Sequence, residues 1–254
     1  MNLRPAITAI SPLAERMYAD GLSRQLIGSL TAIPLLLFSL VGFWAGWIGQ
    51  RIGFARALGL GMALLAFGCA ARSFTGDFSA ISRILGTVFI GSGIALGNVL
   101  LPGLVKSRFP QHMGVLTSLY ATGMNLGAAL GIALAVPMAN SLPGGWNASL
   151  GMWGVAAFSM LILWAPQMFT APQQQSRRIG HPLAGVMIVA RKRRAWHVTI
   201  FMGLQSAIYY STVAWLPTML QSRGMAEELA AGWVSALQIT GCVASLVIPM
   251  LAVA

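Results

Sequence analysis

Residues Gln25–Ala71 read QLIGSLTAIPLLLFSLVGFWAGW, then IGQRIGF, then ARALGLGMALLAFGCAA. Two apolar stretches are joined by a short connection holding Arg51, with Arg56 just beyond it. An apolar run of about 20 residues matches a hydrocarbon core roughly 30 Å thick. In lipid a helix satisfies its own backbone groups, so such runs read as membrane-spanning helices. The pattern repeats along the chain, and the spans read as Asn2–Leu13, Gln25–Trp47, Ala55–Ala71, Ser79–Leu104, Gly114–Met138, Ser149–Met168, Ala195–Leu216 and Leu229–Ala254.

Composition agrees. The 254 residues are 57% hydrophobic and 8% charged, with a mean hydropathy of +0.75. Soluble domains carry roughly 25% charge. The carboxylates are Glu15, Asp20, Asp77, Glu227 and Glu228, and each falls in a gap between spans. They share alternate gaps with Arg16, Arg24, Arg72 and Arg223. The other gaps hold Arg51 and Arg56, then Lys106 and Arg108, then Arg177, Arg178, Arg191, Lys192, Arg193 and Arg194. The excess of Lys and Arg marks that side as cytoplasmic. The chain therefore reads as a multi-pass protein of the inner (plasma) membrane, with the lipid bilayer as partner. The net charge of +11 is divided among short loops, which argues against nucleic acid as a partner.

The first span holds about 12 residues, roughly 20 Å of helix, too short to cross. It lacks the basic head and cleavage site of a signal peptide. The last span ends without a polar flank. Both ends are expected to be cut, leaving a fragment of a longer protein. The longest gap, Thr170–Arg194, follows the sixth span. Its Pro182–Trp196 portion suits a juxtamembrane anchor on anionic lipid. The expected division is 1–169 as an N-terminal helical half, 170–194 as a cytoplasmic central loop, and 195–254 as the start of a C-terminal half.

Glycines at four-residue spacing (Gly42/Gly46, Gly49/Gly53, Gly93/Gly97, Gly123/Gly127/Gly131) predict close helix packing. The alternative, a dinucleotide fingerprint in Gly91–Gly97, fails on spacing and on the lack of a strand. Cys69 and Cys242 sit in apolar runs and predict neither disulfide nor metal, and the scattered histidines make no ligand set. No cofactor is expected. An intramembrane enzyme would want an embedded acid, a Ser with a basic partner or a metal cluster. The spans offer none of these.

The connection Gly46-Trp-Ile-Gly-Gln50-Arg51-Ile-Gly53-Phe-Ala-Arg56 resembles the signature loop of the major facilitator superfamily, matching at Gly46, Arg51, Gly53 and Arg56. Gln50 stands where that loop has an acid, so a charge-paired cytoplasmic latch would be weakened. The stretch Gly91–Pro110, with Asn98 and Pro102, resembles the fourth helix of the cyanate and 2-nitroimidazole transporter family within that superfamily. Val198–Pro217, with Gln205, Tyr209 and Tyr210, resembles the seventh. The likeness runs through nearly the whole chain and is strongest to the 2-nitroimidazole exporter branch. Asn2-Leu-Arg4-Pro5 is similar to the cyanate branch instead. The resemblance implies an all-α bundle with about eight of twelve membrane helices present, the first one truncated. It also implies a small-molecule substrate moved by alternating access.

Polar groups inside a span are costly and usually face the bundle interior. Arg4 either meets a planar anion, nitro or cyanate group through paired hydrogen bonds or snorkels to the interface. Asn98 offers donors and acceptors to a neutral heterocycle or bonds to another helix. Span five presents Ser118, Thr122 and Asn125 on one face, span seven Gln205 and Tyr209, span eight Ser235, Gln238 and Cys242. Tyr120, Tyr210 and Trp215 add aromatic surface for a flat ring. Pro34, Pro102, Pro137 and Pro217 mark expected kinks or helix ends. Arg83 lies near the outer end of span four, where superfamily members carry an Arg linked to proton coupling.

The candidate substrate-binding residues are thus Arg4, Asn98, Asn125, Gln205, Tyr209 and Gln238. The candidate gating loop is Gly46, Arg51, Gly53 and Arg56. The expected function is efflux of small planar nitrogen heterocycles such as 2-nitroimidazoles. Uptake of a small anion such as cyanate, and an inactive truncated remnant, are the alternatives.

Overall fold

A computed structural model describes residues 4–76, 78–170 and 190–251, with side chains in the last helix described to 246. The central loop of the sequence analysis and Asp77 lie outside the described residues, apart from the loop's edges. Among the described residues every regular element is helical. The elements are α1 (Pro5–Thr8), a 3-10 turn (Ser11–Leu13), α2 (Ala14–Ala19), α3 (Arg24–Ile52), α4 (Phe54–Arg72), α5 (Ser79–Arg108), a 3-10 turn (Pro110–His112), α6 (Met113–Ser141), α7 (Gly145–Thr170), α8 (Arg193–Ser222) and α9 (Glu227–Leu251).

The first span differs from expectation. It is broken rather than continuous, and it runs on to Ala19 instead of ending at Leu13. Pro12 in the 3-10 turn lacks the N–H that a regular helix would use. Residues Pro5–Leu13 are all buried. Ile10, Leu13 and Met17 pack with Leu30, Val136, Trp146 and Leu150, while Ala6 and Ile7 pack with Leu65, Ile90, Ile94 and Ala157. The shortest span is thus the hub on which α3 to α7 converge.

Among the described residues six helices are long and apolar enough to cross a membrane: Arg24–Ile52, Phe54–Arg72, Ser79–Arg108, Pro110–Ser141, Gly145–Thr170 and Glu227–Leu246. The first and seventh spans fall outside that set. The first is short. Gln205, Ser206, Tyr209, Tyr210, Ser211 and Thr212 dilute the apolar character of α8. These two segments meet, with Arg4 over the Tyr209 ring and Ser11 donating to the Ala214 carbonyl, so each has a side that need not face lipid. The prolines Pro34, Pro102, Pro137 and Pro217 all lie inside continuous helices rather than at their ends.

Close packing follows glycine, though at partly different positions from those expected. A Cβ built on Gly68 would lie 2.6 Å from the Gly86 carbonyl oxygen, and one on Gly86 would lie 2.6 Å from that of Gly68. One turn pair further along the crossing, a Cβ on Gly61 would reach the Gly93 oxygen at 3.0 Å. Gly61 and Gly68 on α4 therefore face Gly86 and Gly93 on α5 with backbones nearly touching. Of the glycines singled out by spacing, Gly49, Gly93 and Gly131 pack closely, whereas Gly46 and Gly53 face open space.

Charged ends sort as the sequence implied. Asp20, Glu227 and Glu228 lie at one end of the bundle with Arg16. Arg51, Arg56 and Arg108 lie at the other, where Arg56 Nε donates to the Met168 carbonyl at 3.2 Å.

Candidate functional site

Four of the six candidate substrate-binding residues form one chain of contacts. Arg4 Nη1 donates to Asn125 Oδ1 at 3.1 Å. The Arg4 guanidinium carbon sits 4.8 Å from the centre of the Tyr209 ring. Gln238 Nε2 donates to the Tyr209 hydroxyl at 2.9 Å. Asn125, Arg4, Tyr209 and Gln238 thus link α6, the first span, α8 and α9. Gln238 is 2% exposed, and Arg4 Nε is buried without a hydrogen-bond partner among the described residues. Tyr210 packs at 5.0 Å from Tyr209 and at 5.9 Å from Phe38, extending the aromatic wall towards α3.

Local packing explains how Arg4 reaches this point. A Cβ on Gly131 would lie 2.7 Å from Pro5 Cα and 2.7 Å from Thr8 Oγ1. The missing side chain lets α1 lie directly on α6. Thr8 Oγ1 then donates to the Ala128 carbonyl at 3.3 Å, which sets the rotation of α1. Asn125 packs against Gly241 of α9, and Thr122 and Ser245 hydroxyls share a hydrogen bond of 2.9 Å. Cys242 and Ser235 bond to the α6 backbone, so they hold the α6–α9 pair together.

Asn98 and Gln205 are not part of the group. Asn98 is half-buried on α5, and its Oδ1 has no hydrogen-bond partner among the described residues. Gln205 is exposed on α8, one turn towards the basic end from Tyr209. Trp215 is also exposed, and Ser118 bonds to its own helix at Gly114. Arg83 stacks on Trp146 at the other end of α5 and does not approach Arg4.

The candidate gating loop is a single-residue joint. Gly53 ends α3 and precedes α4 with φ +92° and ψ 141°, a backbone region that side chains disfavour. Arg51 lies over the Trp47 ring at 4.9 Å. Of the four matched residues, Gly53 makes the turn, Arg51 and Arg56 contact Trp47 and the Met168 carbonyl, and a Cβ on Gly46 would meet nothing.

At the acid-bearing end a second network joins the same elements. Arg16 Nε donates to both Glu227 oxygens at 3.0 and 2.8 Å, and Arg16 Nη2 lies 2.7 Å from Oε2. Arg16 Nη1 donates to Asn140 Oδ1 at 2.6 Å, and Asn140 Nδ2 donates to Glu228 Oε1 at 3.3 Å. Ser11 Oγ donates to the Ala214 carbonyl at 2.7 Å. The first span, α6, α8 and α9 are therefore clasped above the Arg4 group. Arg16→Glu is expected to cost about 1 kcal/mol, because the pair is part-exposed but bidentate and networked. Adding Glu227→Arg is expected to restore most of it. A double-mutant cycle on thermal unfolding in detergent reads this, and strictly additive effects would show that the two side chains are not coupled.

A cationic group, two amides and two phenol rings around one point can hold a flat, acceptor-bearing solute by hydrogen bonding and stacking. The residues from 5 to 254 match the family model described as Major Facilitator Superfamily. The chain belongs to that superfamily. It is 41% identical to an uncharacterised transporter of Bacillus subtilis over 99% of this chain and 61% of that protein. It is 37% identical to a 2-nitroimidazole transporter of Escherichia coli, over 98% of this chain and 62% of that one. A cyanate transport protein of Escherichia coli is 23% identical over 99% and 64%. A D-xylose-proton symporter has a similar fold, with a TM-score of 0.64 at 16% identity, covering 99% of this chain and 65% of that chain. The chain thus spans a little over three fifths of the length of these relatives. It is a multi-pass membrane protein of that superfamily, and these relatives are transporters. Its bacterial relatives place it in the inner membrane.

Proposed function

We propose that this superfamily member moves small planar nitrogen heterocycles such as 2-nitroimidazoles out of the cell by alternating access. The observation that carries the reading is the Asn125–Arg4–Tyr209–Gln238 chain, which joins the first span and α6 to α8 and α9. The proposed units are 1–169 and a second half beginning at 195, joined by 170–194. Rocking of one against the other would open the Arg4 group to each side in turn. The clasp around Arg16 closes the acid-bearing end, while α8 from Arg193 to Ile208 is mostly exposed on the other side of Tyr209. Arg4 supplies donors to a nitro group, and Tyr209 and Tyr210 supply faces for the ring. Asn98 and Gln205 would line the route towards the basic end.

A second reading is uptake of a small anion such as cyanate. It is favoured by Arg4, whose hydrogen-bond partner is an amide rather than a carboxylate. Labelled 2-nitroimidazole accumulation in cells expressing the complete reading frame tests the first reading. Lower accumulation than in vector controls is the expected result. Unchanged accumulation with measurable cyanate uptake would replace it with the second.

A further inference from the structure

The acid-bearing end holds a polar cavity, separate from the Arg4 group and formed by the 20–23 turn and the first turns of α3, α5 and α7. Its volume is about 560 Å³, and its walls include Asp20, Ser23, Ser79, Arg83, Trp146 and Asn147. Three long helices begin there. Ser23 is the N-cap of α3, Ser79 opens α5, and Trp146 and Asn147 lie in the first turn of α7. Each N-terminus presents free N–H groups and about half a positive charge. No side chain caps α5.

Arg83 is 8% exposed. Its Nε is buried without a hydrogen-bond partner among the described residues, and Nη1 donates to Ser79 Oγ at 3.3 Å. The guanidinium lies 5.1 Å from the Trp146 ring centre. A guanidinium has five donors, and a buried one left mostly unmatched is unfavourable. Asn147 Oδ1 is likewise buried without a partner. Asp20 is the carboxylate that the described residues place in the wall, and its Oδ2 accepts from Trp146 Nε1 at 2.5 Å. The acid is thereby held on the indole edge, away from a hydrogen bond with Arg83. Among the described residues Arg83 therefore has no carboxylate partner.

We propose that this cavity binds a phosphate-type oxyanion, with Arg83 as its cationic ligand and the N-termini of α3, α5 and α7 around it. The cavity opens at the ends of apolar helices, the level at which lipid headgroups lie, so a phospholipid phosphate and free phosphate share the chemistry. Binding would tie three helix ends together on the outer face.

The test uses the protein expressed from its complete reading frame and purified in an uncharged detergent. Inorganic phosphate, titrated against chloride at constant ionic strength, and phosphatidylglycerol, titrated against phosphatidylcholine, are the probes. Either is expected to raise the unfolding midpoint by a few degrees, since a ligand of the folded state stabilises it. A shift with phosphatidylglycerol alone assigns the headgroup, and a shift with phosphate assigns the free ion. Arg83→Gln is expected to remove the shift. Asn147→Asp sets a carboxylate at the rim and is expected to remove it too, which decides the matter where Arg83→Gln does not fold. The proposal is overturned if neither probe shifts the unaltered protein, or if the variants respond as it does. A shift that arises only in Asp77→Asn also overturns it, because the guanidinium would then already serve a carboxylate of the chain.

Discussion

Arg4→Ala is expected to lower the initial rate of transport about a hundredfold in cells expressing the complete reading frame. The estimate follows from the contacts. A hydrogen bond to a charged group contributes about 1.5–3 kcal/mol, and a desolvated cation over an aromatic ring about 1–2 kcal/mol. Arg4 makes one of each, to Asn125 and to Tyr209. Losing about 3 kcal/mol of solute and wall interactions corresponds to about two decades. Arg4→Lys keeps the charge but not the flat fork, so it is expected to recover no more than about a tenth of the rate. Asn125→Ala, which leaves the cation in place, is expected to be milder, at about tenfold. Rates with a nitroimidazole and with cyanate, measured side by side, separate the two readings of substrate. Full activity of Arg4→Lys on both would mean that paired hydrogen bonding at this position is not part of transport.

Gly68→Leu is expected to abolish recovery of folded protein. The reason lies in the α4–α5 crossing, where a single added Cβ would sit 2.6 Å from the Gly86 oxygen and 2.8 Å from the Ile90 nitrogen. Both are backbone atoms, so no rotamer change relieves the overlap and the helices must separate. Overpacking costs about 1–3 kcal/mol where side chains can give, and a forced backbone shift along two long helices exceeds that. Gly86→Leu is expected to fail in the same way, because its Cβ would meet the Arg72 nitrogen at 2.7 Å as well as the Gly68 oxygen. Gly46→Leu is the control. Its Cβ would meet nothing within 4 Å, and a helix loses about 1 kcal/mol to each interior glycine. The control is therefore expected to be neutral or stabilising. Yield of monodisperse protein after detergent extraction reads all three. Equal yields from Gly68→Leu and Gly46→Leu would refute the packing argument.

These two cases mark where the residues could be read directly and where they could not. Arg4, Asn125, Tyr209 and Gln238 were each legible as polar groups inside apolar segments, which lipid penalises unless the bundle encloses them. Their meeting was not legible, because it depends on Gly131 admitting α1 against α6 across a long separation in the chain. Gln205 shows the limit of the same logic. It shares a helical stripe with Tyr209, but the stripe turns out of the contact region one turn away. Glycine spacing misjudged Gly46 and passed over Gly61, Gly68 and Gly86. Close approach is a property of two helices, and a spacing rule reads only one.

The membrane class, the positions of most helices and the sorting of charge between the two ends were already written in the chain. Each follows from the cost of placing a charge or a bare peptide group in hydrocarbon, a cost set residue by residue. The burial of the broken first span at the hub, the cation–aromatic contact of Arg4 with Tyr209 and the clasp of Arg16 on Glu227 were decided by tertiary structure. The last two join residues more than two hundred positions apart, and all three depend on how helices lean and rotate against one another, which no single helix encodes.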